Sequence, residues 1–123
     1  MKIKKKNDRH IAFNDGIVYI YTVHNIAEKG DKHKESLVLK YKLRFKYETI
    51  GVQRNYEAMQ SDVQLSELIS VYANRGISSQ DIAVISSRQY KIEQVQHIEN
   101  TAPASSKLAL SRLEVDYDLA SVP

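Results

Sequence analysis

The chain reads as a mainly β protein, a small antiparallel β-barrel or sandwich with one short helix and a long charged loop. Three observations predict this class. Residues 37–50, LVLKYKLRFKYETI, set Leu37, Leu39, Tyr41, Leu43, Phe45 and Tyr47 in alternation with Lys40, Lys42, Arg44 and Lys46, the period of a half-buried strand. Residues 17–24 are apolar on both faces. Short apolar runs separated by turn residues recur to the end of the chain, as in small closed or two-layered β domains.

A length of 123 residues suits one domain with a real core. We divide it into a basic arm at 1–9, a single β domain at 10–114 and a tail at 115–123. In HIAFNDGIVYIYTVHN, Asp15-Gly16 is a favoured hairpin pair and predicts a short strand at 10–14 joined to a longer one at 17–24. Ile17, Tyr19, Tyr21 and Val23 face one way, and Val18, Ile20 and Thr22 the other. Such a strand is central to a barrel or covered by another subunit.

Residues 25–36 hold few apolar side chains and predict a long mobile loop, a kind of segment that is often functional. Val52, Tyr56 and Met59 stand at helical spacing behind Gly51 and predict one or two helical turns at about 52–60. SDVQLSELISVYA is ambiguous. As a helix it aligns Leu65, Leu68, Ile69 and Tyr72; as a strand it aligns Val63, Leu65, Ile69 and Val71, with Glu67 a misfit. DIAVISSRQYKIEQVQHI predicts a hairpin of strands 81–85 and 89–98 around Ser86-Ser87, and LALSRLEV a last strand. The tail DYDLASVP has no pattern and is expected to fray.

The chain has no cysteine, which removes disulfides, thiolate metal sites and a cysteine nucleophile. No apolar run approaches the roughly 20 residues of a membrane helix, and MKIKKKNDRH lacks the apolar stretch of a secretory signal. We expect a cytoplasmic setting and no membrane partner. His10, His24, His33 and His97 show no zinc spacing. The carboxylates stand singly, apart from Asp116 and Asp118 in the tail. Four glycines form no phosphate loop. No enzyme activity and no cofactor are expected.

Charge is unevenly placed. Residues 1–50 carry 12 Lys/Arg against 6 Asp/Glu, or +6, and residues 51–123 carry 6 against 9, or −3. The ordinary account of the 40–46 ridge is a solvated face. The sharper accounts are contact with a polyanion, or contact between the basic half of one copy and the acidic half of another. A nucleic-acid sheet usually shows charge and aromatics on one face, whereas this strand places them on opposite faces.

LRFKYETIGVQRNYEAMQSDVQLSELISV followed by YKIEQVQHIENTAPASSKLALSRLE resembles the head closure (stopper, head–tail joining) proteins of tailed bacteriophages and prophages. The resemblance rests on Thr49-Ile50-Gly51, on Arg54, Tyr56 and Ala58, and on the strand from Tyr90-Lys91-Ile92 to Val95-Gln96. Asn100-Thr101 and the alternating Leu108, Leu110 and Leu113 complete it. It covers about residues 10–114.

The resemblance implies a small β-barrel and makes 62–73 a strand. It implies a homo-oligomeric ring in the virion connector, assembled in the host cytoplasm, with a portal-adaptor protein above and a tail completion or terminator protein below. That ring would close the channel for packaged DNA, held without sequence preference, and offer the tail a docking surface. By position, Glu28, Lys29, Gly30, Asp31, Lys32, His33 and Lys34 become a channel or gating loop. Lys40, Lys42, Arg44 and Lys46 become contacts to a neighbouring subunit or to DNA. The alternative is a stand-alone nucleic-acid-binding β-barrel.

Overall fold

The computed structural model describes residues 11–25, 35–51 and 64–118. Among the described residues, six strands run in chain order: β1 (Gly16–Asn25), β2 (Glu35–Glu48), β3 (Glu67–Tyr72), β4 (Ile82–Ile85), β5 (Arg88–Ile98) and β6 (Ser105–Arg112). All neighbours pair antiparallel, and the order β1-β2-β3-β6-β5-β4 returns to β1 as a closed barrel. The described residues contain no helix; the expected turn at 52–60 and the loop segment 26–34 lie outside them.

β1 shares its backbone with β2 on one side and β4 on the other, which explains its apolar character on both faces. Val18 and Ile20 point inward to a core with Phe45, Ile69, Val71, Ile92, Leu108 and Leu110. Tyr21 points outward to a second cluster with Leu37, Ile82 and Val84. Leu113 and Tyr117 pack on that cluster, so the outer face of β1 is partly covered by the chain's own C-terminal segment. Gln89 fastens the segment: its side-chain amide donates to the Tyr117 carbonyl and accepts from the Tyr117 N–H, both at 2.8 Å. The tail DYDLASVP, expected to fray, is therefore anchored at Tyr117, and its residues 119–123 lie outside the described set.

Residues 11–14 do not form the expected strand. Ile11 N–H donates to the Ala102 carbonyl, the Phe13 ring meets Tyr72 of β3 at 4.5 Å, and Asp15 N–H donates to the Phe45 carbonyl. Asp15-Gly16 serves as an entry into β1, not as a hairpin turn. The Asp15 carboxylate accepts from Tyr47 N–H at 2.8 Å. Gly16 sits at φ +146°, and a Cβ there would lie 3.1 Å from the Phe45 ring. The hairpin at Ser86-Ser87 is present, with both residues left-handed at φ 51° and 70°, as the tight turn of this kind demands. Residues 67–72 form a strand, which resolves that ambiguity; Ile69 and Val71 face the core.

Two bulges break the alternation. Ile20 pairs with Tyr41 and Tyr21 with Leu39, leaving Lys40 as an extra residue in β2. Ile92 pairs with Leu110 and Gln94 with Ala109, leaving Glu93 extra in β5. A bulge of one residue exchanges the faces on its two sides. Phe45 accordingly belongs to the inner core and Leu37 to the outer cluster. Leu39, assigned to the core face by alternation, is 42% exposed.

Gly16→Ala should destabilise the chain by about 1–3 kcal/mol through its unfavourable φ and the contact with Phe45. Chemical denaturation checks this; an unchanged midpoint would contradict the entry geometry.

Candidate functional site

The ridge expected at residues 40–46 is three residues long. Lys40, at the bulge, turns away toward the segment between β3 and β4. Its ammonium donates to Asp81 Oδ2 and to the Gly76 carbonyl, each at 2.7 Å. Asp81 Oδ2 also accepts from Ser78 N–H at 2.9 Å, and the side chains of the ion pair are 25% and 7% exposed. The segment itself is tightly seated. Asn74 Oδ1 accepts from Gly76 N–H, Ile77 is buried in the core, and a Cβ on Gly76 would collide with the Tyr41 hydroxyl. Lys40 therefore has a structural occupation.

Lys42 and Arg44 remain exposed on the outer face, with Lys46 partly so. Lys42 pairs across the ladder with Tyr19, Arg44 with Ile17, and Lys46 with Ser70. The Lys42 ammonium lies 5.9 Å from the centre of the Tyr19 ring, a favourable but exposed arrangement. Ile17 beside Arg44 is 37% exposed. Lys46 is 3.9 Å from Glu48, whose carboxylate accepts the Ser70 hydroxyl at 2.7 Å. Charge and an aromatic ring thus do share the outer face, because β1 supplies the ring that β2 lacks there.

A cleft of about 630 Å³ opens on the outer face of β5 and β6, lined by Gln64, Ser66, Lys91, Glu93, Ser111, Arg112, Leu113 and Glu114. Glu93 reaches it from the β5 bulge and accepts the Ser111 hydroxyl at 2.6 Å. The Arg112 guanidinium is held over the Tyr90 ring at 5.6 Å, donates to the Gln89 carbonyl at 3.2 Å, and lies 3.9 Å from Asp116. A smaller cleft of about 300 Å³ between Val23, Glu35, Ile82, Lys91, Leu113 and Tyr117 lies beside the β1–β2 hairpin. The Tyr117 hydroxyl donates to Glu35 at 3.3 Å. Burial first, and then Glu35, raises the Tyr117 pKa above its ordinary 10.0.

At the other barrel end Asn74 N–H donates to the Ser106 hydroxyl oxygen at 3.0 Å, and His97 Nδ1 lies 2.8 Å from that oxygen. Ser106 is fully buried, so the pair has no access to a substrate and reads as a packed polar contact. Among the described residues, no three His, Asp or Glu side chains converge on a metal-sized site. Of the residues assigned from sequence, Lys42, Arg44 and Lys46 lie together, Lys40 lies apart, and residues 28–34 are outside the described set.

The sequence reading missed Asp81 as the partner of Lys40, Tyr19 beside Lys42, and the Glu93–Glu114 cleft. One signal was present: apolar Tyr90, Ile92 and Val95 change spacing from two to three across Glu93, which marks a bulge.

No protein-family model matches the chain, and a search of curated proteins found no match. Among solved structures, the chain is similar to protein SF1141 from Shigella flexneri 2a, solved in solution. That likeness has 14% identity, covers 84% of this chain and 96% of that one, and has a TM-score of 0.59. It is also similar to a chain in the virion of a native gene transfer agent particle, at 13% identity over 82% of this chain and 96% of that one, with a TM-score of 0.51. These likenesses establish a shared fold.

Two outcomes follow from this geometry. Lys40→Gln should cost about 1–3 kcal/mol, because it leaves the Asp81 carboxylate buried without its cation, while Lys42→Gln and Arg44→Gln should each shift stability by less than about 0.5 kcal/mol. Replacing Lys40, Lys42, Arg44 and Lys46 together would thus be destabilising chiefly through Lys40; thermal melts of the single variants separate the contributions. The Tyr117 phenol has a folded pKa above its unfolded value, so its contribution is present below about pH 10 and lost as pH rises through the folded pKa. The stability advantage of the parent over Tyr117→Phe should shrink at alkaline pH; a constant advantage in denaturant titrations would contradict it.

Proposed function

We propose that the chain is a non-catalytic structural component of a phage-like particle. In that reading it is a head closure protein that assembles as a ring below the portal and its adaptor, closes the DNA channel and offers a docking surface for the tail completion protein. The observation that carries this is the fold likeness spanning 96% of a virion chain of the gene transfer agent particle. It agrees with the resemblance carried by residues 43–71 and 90–114, and the ridge Lys42, Arg44 and Lys46 adds charge suited to a ring or to confined DNA. Phosphate attraction is sequence-independent and additive over many copies.

A second reading, a stand-alone nucleic-acid-binding barrel, gains from the placement of Tyr19 beside Lys42 on one face, since bases stack on aromatic rings next to cations. The two readings diverge in partner. The first expects retention at the portal vertex of tailless, DNA-filled heads; the second expects salt-sensitive binding to free single-stranded DNA by the isolated chain.

Lys42→Gln/Arg44→Gln/Lys46→Gln should melt close to the parent yet leave heads that lose DNA or fail to accept tails. Measuring DNA retention and infectious or transducing particles checks this. Full closure by the triple variant would remove the ridge from the function.

A further inference from the structure

We infer that the C-terminal segment 113–118 is a releasable latch on one end of the β1–β2 pair. Seated, it holds residues 22–25 and 35–38 against the barrel. Released, it frees that end and uncovers the apolar side chains beneath.

Strand pairing creates the need for such a hold. β4 follows β1 only as far as Tyr21, which pairs with Ile82, and β3 meets β2 only from Lys46 to Glu48. Residues 22–25 and 35–38 pair with each other, from Thr22 with Val38 to Asn25 with Glu35. Among the described residues they have no third strand. A two-stranded ribbon is marginal in water without a packed face. Here that face is Val23 and Leu37, continuous with Tyr21, Ile82 and Val84, and Leu113 and Tyr117 close over it.

The hold is light and converges on one residue. Residues 113–118 add no strand to the sheet. Leu113 N–H donates to the Gln89 carbonyl at 3.3 Å, and the Gln89 side-chain amide makes both 2.8 Å bonds to the Tyr117 backbone. Gln89 is 4% exposed. Partial release would leave its amide buried and unpaired, which is costly, whereas full departure opens it to water. The segment therefore leaves as a unit.

Tyr117 joins the latch to the ribbon, since its hydroxyl donates to Glu35 at 3.3 Å. The two are not close-packed throughout: the cleft of about 300 Å³ lies between Val23, Glu35 and Ile82 on one side and Leu113 and Tyr117 on the other. Val115, between the two anchors, is 82% exposed. Sparse packing and the absence of a ladder mark a unit that opens ahead of the barrel. Coupling of this kind is reciprocal, so whatever draws the ribbon away also loosens the segment.

Amide hydrogen exchange of the full chain tests the latch. Tyr117→Ala removes the apolar cover and the bond to Glu35, and Gln89→Ala removes the two bonds to the Tyr117 backbone. In each, protected amides within 22–25 and 35–38 should exchange about tenfold or more faster than in the parent, the net worth of two ordinary hydrogen bonds. Amides of β3 and β6 should keep the parent's rates. The reverse arm uses Val38→Gly, which weakens the ribbon from its opposite face and should speed exchange at the Tyr117 amide.

Unchanged ribbon exchange in either folded latch variant would overturn the inference. So would protection lost equally from β3 and β6, or failure of both variants to fold, since the segment would then belong to the barrel's global stability. Where one variant fails to fold, the other decides. An unchanged Tyr117 amide in folded Val38→Gly would reject the coupling.

Discussion

The Lys40–Asp81 ion pair and the bulge that aims it govern how this barrel is built. Asp81 is almost fully withdrawn from water, and a carboxylate so placed requires a cation and hydrogen bonds to offset its desolvation. Lys40 supplies the first, Ser78 N–H the second, and the Gly76 carbonyl draws the same ammonium onto the segment between β3 and β4. The segment lays Ile77 into the core. From there the Asp81 carbonyl accepts from Ile92 N–H of β5, and the Ile92 carbonyl accepts from Gln80 N–H, as β4 begins. Without the extra residue at 40, Leu37 would share the face of Phe45, and the outer cluster around Tyr21 would lose a member.

The strand class, the turn at Ser86-Ser87 and the tolerance of β1 for two partners were all legible in the sequence, since each depends on local pattern. The bulge at Lys40 was not. Leu37, Leu39 and Tyr41 keep strict period two across it, so nothing in the residue types records that the face changes between 39 and 41. The β5 bulge does leave a mark, because Ile92 and Val95 are three apart. Asp15-Gly16 misled for a related reason: a pair suited to a tight turn is equally suited to a φ that only glycine adopts easily next to an aromatic ring. Of the site, the three exposed cations were legible as a stripe. Their neighbours Ile17 and Tyr19, and the cleft across the barrel, depend on strand order, which local pattern does not contain.

The doubly apolar strand β1 had suggested coverage by another subunit. The chain partly covers it with its own residues instead, through Leu113 and Tyr117. That removes one argument for subunit contact and leaves charge as the stronger one. It also ties the C-terminal segment to the loop-proximal end of the β1–β2 pair, where Tyr117 reaches Glu35, so a movement of that end would be felt at Gln89.

The ridge has a second consequence that bears on assembly. β2 is fourteen residues long but pairs with β3 only from Lys46 to Glu48, so the β3-side edge of residues 39–45 carries no ladder among the described residues. An open edge invites another strand, and lysines along it are a common protection, because pairing would bury or crowd their charges. The same cations that discourage backbone pairing still attract carboxylates and phosphates. Among the described residues, cations along this edge disfavour added backbone pairing and favour side-chain contacts that weaken with salt.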